Sequence, residues 1–108
     1  MSVFAFADLL AAQRASGESA YDFVQAADLS LGVYVLEAGA VDPQGPHTED
    51  EVYVILAGRS RFTLGDQTFD VGPGDTIHVA AGVPHRYHDI AETLHIVYMF
   101  APAEGSRA

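Results

Sequence analysis

Two hydrophobic periods divide this chain. In Phe4 to Ser16 (FAFADLLAAQRAS), Phe6, Leu9, Leu10 and Gln13 fall near helical spacing with alanines between them, and Gly17 follows as a stop. This predicts one short N-terminal helix lying on an apolar surface. From Tyr21 onward the pattern changes to short runs rich in β-branched and aromatic residues, each bounded by glycine, proline or aspartate. Those runs predict strands at Tyr21 to Gln25, Leu31 to Glu37, Glu51 to Ala57, Arg59 to Leu64, Thr68 to Val71, Asp75 to Val79, His85 to Asp89 and Thr93 to Phe100. Short strands in this number suit an all-β jelly-roll β-barrel. Gly65-Asp66 is a two-residue hairpin signal, and Gly58 is expected to separate two paired strands almost without a loop. Gly72-Pro73-Gly74-Asp75 forces a tight corner. The tail from Pro102 to Ala108 reads as dispensable.

The last predicted strand is apolar on both faces, with Leu94, Ile96, Tyr98 and Phe100 on one and His95, Val97 and Met99 on the other. A strand of an isolated barrel alternates, so something must cover the outer face. The N-terminal helix or a second subunit would do so, and a homodimer is expected.

Composition narrows the chemistry. A chain of 108 residues, 49% of them hydrophobic, closes one core, so one domain is expected over residues 1–108, with the helix at about 4–16 and the barrel at about 21–101. There is no cysteine, which restricts any metal site to nitrogen and oxygen ligands. A formal charge of -10, with no lysine, would repel nucleic-acid phosphates and anionic lipid, so neither is an expected partner. The segment MSVFAFADLL lacks the basic flank and long apolar run of a signal peptide, which leads to the expectation of a soluble, cytoplasmic protein.

All five histidines lie between His47 and His95. His47 and Glu51 stand at the entry to the strand EVYVILA, where even spacing in extended backbone aims both into one interior. His85 follows Gly82-Val83-Pro84, a rigid turn that would fix its imidazole at the start of another strand. Two imidazoles and one carboxylate suit Fe(II) with open positions, and equally a zinc site with a bound water. The plain alternative for His47 and Glu51 is a loop histidine beside a solvated acidic run, Glu49-Asp50-Glu51.

Over Gly39 to Asp89 the chain resembles the cupin superfamily, especially small single-domain bacterial cupins with a segment like Pro46 to Tyr53 (PHTEDEVY). Gly39, His47, Glu51 and Gly58 match the first cupin motif, in which Gly45 replaces the first histidine. Gly74, Gly82 and His85 match the second, in which Ala80 and Asp89 stand for the usual proline and asparagine. The resemblance implies a cupin-type jelly roll and carries three of the family's four ligands over to His47, Glu51 and His85. It implies one divalent ion, with iron, zinc, manganese and nickel all open.

Gln44 is a candidate fourth ligand through its carbonyl oxygen, with a water as the default. Glu49 shares the parity of the ligands but is not expected to join them. Tyr53, Ile55 and Tyr87 share the parity of the ligands and are expected to line the cavity. His88 is expected on the outer surface, and His78 and His95 as core or interface histidines. No serine or cysteine nucleophile and no phosphate-cradling loop is present. The expected function is a metal-dependent, oxygenase-like enzyme acting on a small organic molecule, with isomerase, cyclase or lyase chemistry available to the same ligands. The alternatives are a small-ligand binding or sensing barrel and a metal-free dimeric scaffold.

Overall fold

The computed structural model of the chain describes residues 2–43 and 45–106. Helix α1 (Phe6–Ser16) is followed by six strands: β1 (Ala20–Gln25), β2 (Ser30–Leu36), β3 (Asp50–Leu64), β4 (Gln67–Val71), β5 (Thr76–Val79) and β6 (His85–Ala101). All pairings are antiparallel, in the order β1-β2-β6-β3-β4 with β5 also on β3. The sheet curls into a jelly-roll barrel. Its interior holds Tyr53, Ile55, Phe62, Tyr87, Leu94, Ile96, Tyr98 and Phe100, each no more than 5% exposed.

The helix ends where glycine permits, since Gly17 takes a left-handed φ of 74° and donates its N–H to the Arg14 carbonyl. Leu9 is its one buried side chain, with Phe6, Leu10 and Gln13 half-buried beside it, and α1 packs on β1 and β2. The two-residue hairpin forms as expected, with Leu64 opposite Gln67. At the expected corner the Asp75 carboxylate accepts the Gly72 N–H at 2.8 Å, and the Gly74 N–H reaches the Ile55 carbonyl at 2.7 Å.

Two expected strand breaks are bends instead. Gly58 does not make a hairpin: β3 runs through it, pairing first with β5 at Glu51 to Val54 and then with β4 at Ser60 to Leu64, with β6 along its other edge. Register shifts cluster between Ile55 and Arg61. There Gly58 adopts φ 91°, and a Cβ would lie 2.2 Å from the Thr93 carbonyl oxygen, so the two backbones meet where only glycine fits. In β6 the matching irregularity is Asp89, a non-glycine residue at φ 49°. Continuous strands that bend and change partners, rather than eight separate ones, build this barrel.

The tail is a second correction. The Glu104 N–H donates to the hydroxyl of buried Ser30 at 3.0 Å and the Gly105 N–H to Glu49 at 3.1 Å, so the segment after β6 is tied across one end of the barrel.

These contacts make Gly58 and Gly74 a discriminating pair. Both have φ near 90°, yet a Cβ at Gly74 meets nothing within 4 Å. Gly74→Ala should cost about 1 kcal/mol from the left-handed backbone alone, and Gly58→Ala about 3 kcal/mol because steric overlap is added. Equal losses in urea unfolding would show that the close approach at Thr93 is not what demands glycine.

Candidate metal centre

Glu51 projects from β3 into the barrel, where it is 1% exposed. His85 opens β6 and is equally enclosed, and its Nε2 lies 3.2 Å from Glu51 Oε1. His47, in the loop before β3 and half-buried, brings its Nε2 to 3.7 Å from the same oxygen. One ligand atom from each of the three falls within 4.8 Å of the other two. The structure thus brings together the three residues singled out by spacing and motif. Gln44 lies outside the described residues.

Local hydrogen bonds set this geometry. The turn before His85 is closed by the Val83 N–H on the Ala80 carbonyl and stitched to the first motif twice. The Gly82 N–H donates to the His47 carbonyl at 2.7 Å, and the Ala81 N–H to Asp50 Oδ1 at 2.9 Å. Within that turn His85 Nδ1 lies 2.9 Å from the Val83 carbonyl, which can only accept. The proton therefore sits on Nδ1 and the Nε2 lone pair faces Glu51, the tautomer a metal ligand needs.

Among the described residues, Glu51 Oε1 and His85 Nε2 are buried polar atoms without a hydrogen-bond partner. Burial of such groups is costly unless something completes them, and a divalent cation would complete both. The donor set fits zinc, iron, manganese or nickel.

Electrostatics agree with the geometry. Burial alone would lower the His85 pKa, but the Glu51 carboxylate, the Val83 carbonyl and Asp42 outweigh it and hold it above the ordinary 6.5. Burial, and then the Glu51 charge, push the Tyr53 phenol far above its usual range, and Tyr53 also hydrogen-bonds Glu51. Burial followed by Glu51 and Asp42 does the same to Tyr87, so both phenols stay neutral. Tyr53, Ile55 and Tyr87 are all interior and fully buried, with the Tyr53 ring 5.9 Å from that of His85. The opening to solvent is formed by other residues. A cavity of about 230 Å³ reaches Glu51 between Asp22, His47, Tyr98, Phe100 and Glu104. Burial, then Asp22, Glu51 and Glu49, raise the Glu104 pKa.

Two carboxylates have roles that the sequence reading missed. Glu49, solvent-facing only on the plain alternative reading and not expected among the ligands, is 2% exposed; it accepts from the Thr48 hydroxyl and the Gly105 N–H and stands outside the ligand group. Asp42, in the loop between β2 and β3, is 4% exposed and accepts from the Tyr34 hydroxyl at 2.8 Å and the Tyr87 N–H at 2.9 Å. It clamps that loop to the strand carrying His85. A single carboxylate in a polar loop gives no periodic signal.

The other histidines stand apart from the group. His88 is largely buried, with Nε2 2.7 Å from the Thr63 hydroxyl and Nδ1 3.0 Å from Asp89. His95 stacks near Phe6 with ring centroids 6.2 Å apart. His78, expected in a core or interface, is not in the core: it is 63% exposed and 3.6 Å from Asp50, on the outward parity of the short strand β5.

Residues 32–100, more than half of the chain, match the cupin domain family. The chain is 42% identical over 98 residues to an uncharacterized protein of Streptomyces coelicolor, covering 90% of this chain and 93% of that one. It is a cupin. This cupin is also 39% identical over 59 residues to dimethylsulfoniopropionate lyase DddQ of Ruegeria pomeroyi, a stretch that is 52% of this chain and 29% of the lyase. The crystal structure of that lyase superposes with a TM-score of 0.71 at 25% identity, covering 76% of this cupin and 45% of the lyase, so the chain spans under half of it. KdgF from Halomonas superposes at 0.72 with 16% identity over 82% of each chain, a likeness of fold. No helix among the described residues is long and apolar enough to cross a membrane.

Because His85 would have to lose a proton to bind a metal, and its neighbours hold that proton more tightly than on an ordinary histidine, metal and proton would compete here. In the metal-free protein the protonated His85–Glu51 pair contributes stability that is present at low pH and lost as pH rises through the raised pKa. Stabilisation by added zinc should therefore grow with pH. The melting-temperature increase given by equimolar zinc is expected to be clearly larger at pH 8 than at pH 6, and an equal increase at both would contradict a histidine-based site.

Proposed function

We propose that this cupin holds one divalent metal ion through His47, Glu51 and His85 and uses it on a small organic molecule entering between Asp22 and Glu104. The observation that carries this reading is the convergence on His47 of two buried atoms, Glu51 Oε1 and His85 Nε2, which lie 3.2 Å apart without a hydrogen-bond partner. Three protein ligands leave coordination positions for substrate. A bound ion would supply Lewis-acid polarisation of a substrate oxygen or, as iron, redox chemistry.

The chain's own residues prepare the place. Val83 fixes the His85 tautomer, Tyr53 steadies Glu51, and the packed rings of Tyr53, Phe62 and Tyr87 exclude water from the inner side. The likeness to a lyase favours a redox-neutral elimination over the oxygenase-like reaction expected from the ligand set, and favours catalysis over ligand binding alone. Purified protein should contain about one divalent ion per chain, and Glu51→Ala and His85→Ala should each lower that content at least tenfold. Full metal content in either variant would refute the ligand set.

We also propose a homodimer formed through the outer face of β6. Leu94, Ile96, Tyr98 and Phe100 point inward, which leaves Val97 and Met99 half-exposed beside Val54 and Val52 of β3, with Leu56 43% exposed nearby. α1 lies over β1 and β2, to one side of this row. Val97→Glu should give monomers or insoluble protein, because a charge buried without a partner costs several kcal/mol. A wild-type mass of one chain in sedimentation at micromolar concentration would refute the dimer.

A further inference from the structure

The walls of the cavity over Glu51 carry one sign of charge. Among the described residues that line it, the charged groups are Asp22, Glu51 and Glu104, and no arginine is present. A bound divalent ion would offset Glu51 and one further charge, so that the three carboxylates still leave the cavity with an excess of negative charge, borne at the mouth. Neither carboxylate at the mouth is neutralised by a side chain: Asp22 accepts from the Tyr98 hydroxyl and, at 3.4 Å, from Gln25, both uncharged donors, and no cation pairs with Glu104 among the described residues.

The arrangement is built rather than incidental. Asp22, Gly32 and Tyr98 are successive partners across β1, β2 and β6. A Cβ on Gly32 would fall 2.0 Å from Tyr98 Cζ, so the missing side chain is what lets the Tyr98 ring lie across β2 to reach Asp22. Glu104 is set opposite by the backbone bonds that tie its segment to Ser30 and Glu49. The rings of Tyr98 and Phe100, 5.7 Å apart, complete the wall. Glu51 Oε1, buried and without a hydrogen-bond partner, lines the same cavity, so the ligand that completes the floor and the molecule held at the mouth would meet there.

Carboxylates around aromatic rings attract an organic cation, by direct charge and by the ring quadrupole. We propose that the substrate is a small organic cation, an amine or onium compound, whose charged group rests between Asp22 and Glu104 while an oxygen at its other end reaches the metal. This rests on the metal-centre reading above and adds the substrate class. Anionic substrates of similar size are disfavoured by the same walls.

Choline and its uncharged carbon analogue, in which a tert-butyl group replaces trimethylammonium, test this directly. The two share a shape and a hydroxyl and differ in charge. Calorimetric titration of zinc-loaded and metal-free protein should show choline binding at least about tenfold more tightly than the analogue. Asp22→Asn and Glu104→Gln should each reduce that preference by about threefold or more, leaving affinity for the analogue and zinc content unchanged. Should Asp22→Asn disturb folding, judged by its melt, Glu104→Gln alone decides, since its side chain is on the surface. Equal affinities in the wild type, or a preference that survives the substitutions, would overturn the proposal. Zinc content is read separately. Intact zinc binding without a cation preference sinks the substrate class and leaves the metal centre standing. If zinc fails to bind, the metal assignment falls, and the preference measured on metal-free protein still decides for or against the cation.

Discussion

The site exists because two long strands bend. On β3, Glu51 and the sheet partner of His85, Leu64, are thirteen positions apart, which is roughly 40 Å in a straight strand. His85 Nε2 nevertheless lies 3.2 Å from Glu51 Oε1. Only a strand folded back across the barrel can bring these groups together. The fold occurs where Gly58 lets the β3 backbone press on Thr93 and where Asp89 takes a left-handed conformation in β6. The register shifts around Gly58 thus help build the candidate metal centre, though none of its three residues lies within them.

Once the strands have bent, the interior holds an ionisable pair that must be balanced. A carboxylate 1% exposed with a partnerless oxygen would be prohibitively costly alone. One solution is a proton on the His85 imidazole, which the Glu51 carboxylate, the Val83 carbonyl and Asp42 favour against the cost of burial. A divalent ion is the other, and it satisfies His47 as well. Because both solutions occupy the same space, the stitching of Ala81 and Gly82 to the His47–Asp50 segment serves either. It holds the three side chains converged in advance, so that binding an ion need not order the loops.

What the sequence made legible follows from the range of each signal. Helix spacing with a terminal glycine, the Gly65-Asp66 hairpin and the Gly72–Asp75 corner are local, and each formed where expected. The convergence of His47, Glu51 and His85 was legible because motif spacing records a three-dimensional arrangement that no local propensity encodes. Gly58 misled because glycine after a β-branched run is the same local signal for a turn and for a bend, and only the Thr93 contact distinguishes them. Glu49 and Asp42 were hidden for a related reason. A buried carboxylate looks like a solvated one until its donors, Gly105 and Tyr87, arrive from far along the chain.

The end of the chain carries this furthest. Polar and lacking any strand or helix pattern, Pro102 to Ser106 resembles a tail whose loss would go unnoticed. Its backbone N–H groups nevertheless reach Ser30 and Glu49, both buried, and so place Glu104 on the wall of the cavity over Glu51. That wall and Asp22 come from opposite ends of the sequence, so neither end alone determines what the mouth attracts. Barrels that share the same triad can therefore select different molecules by changing the segments laid over the opening, while the bends and stitches that assemble the ligands stay fixed.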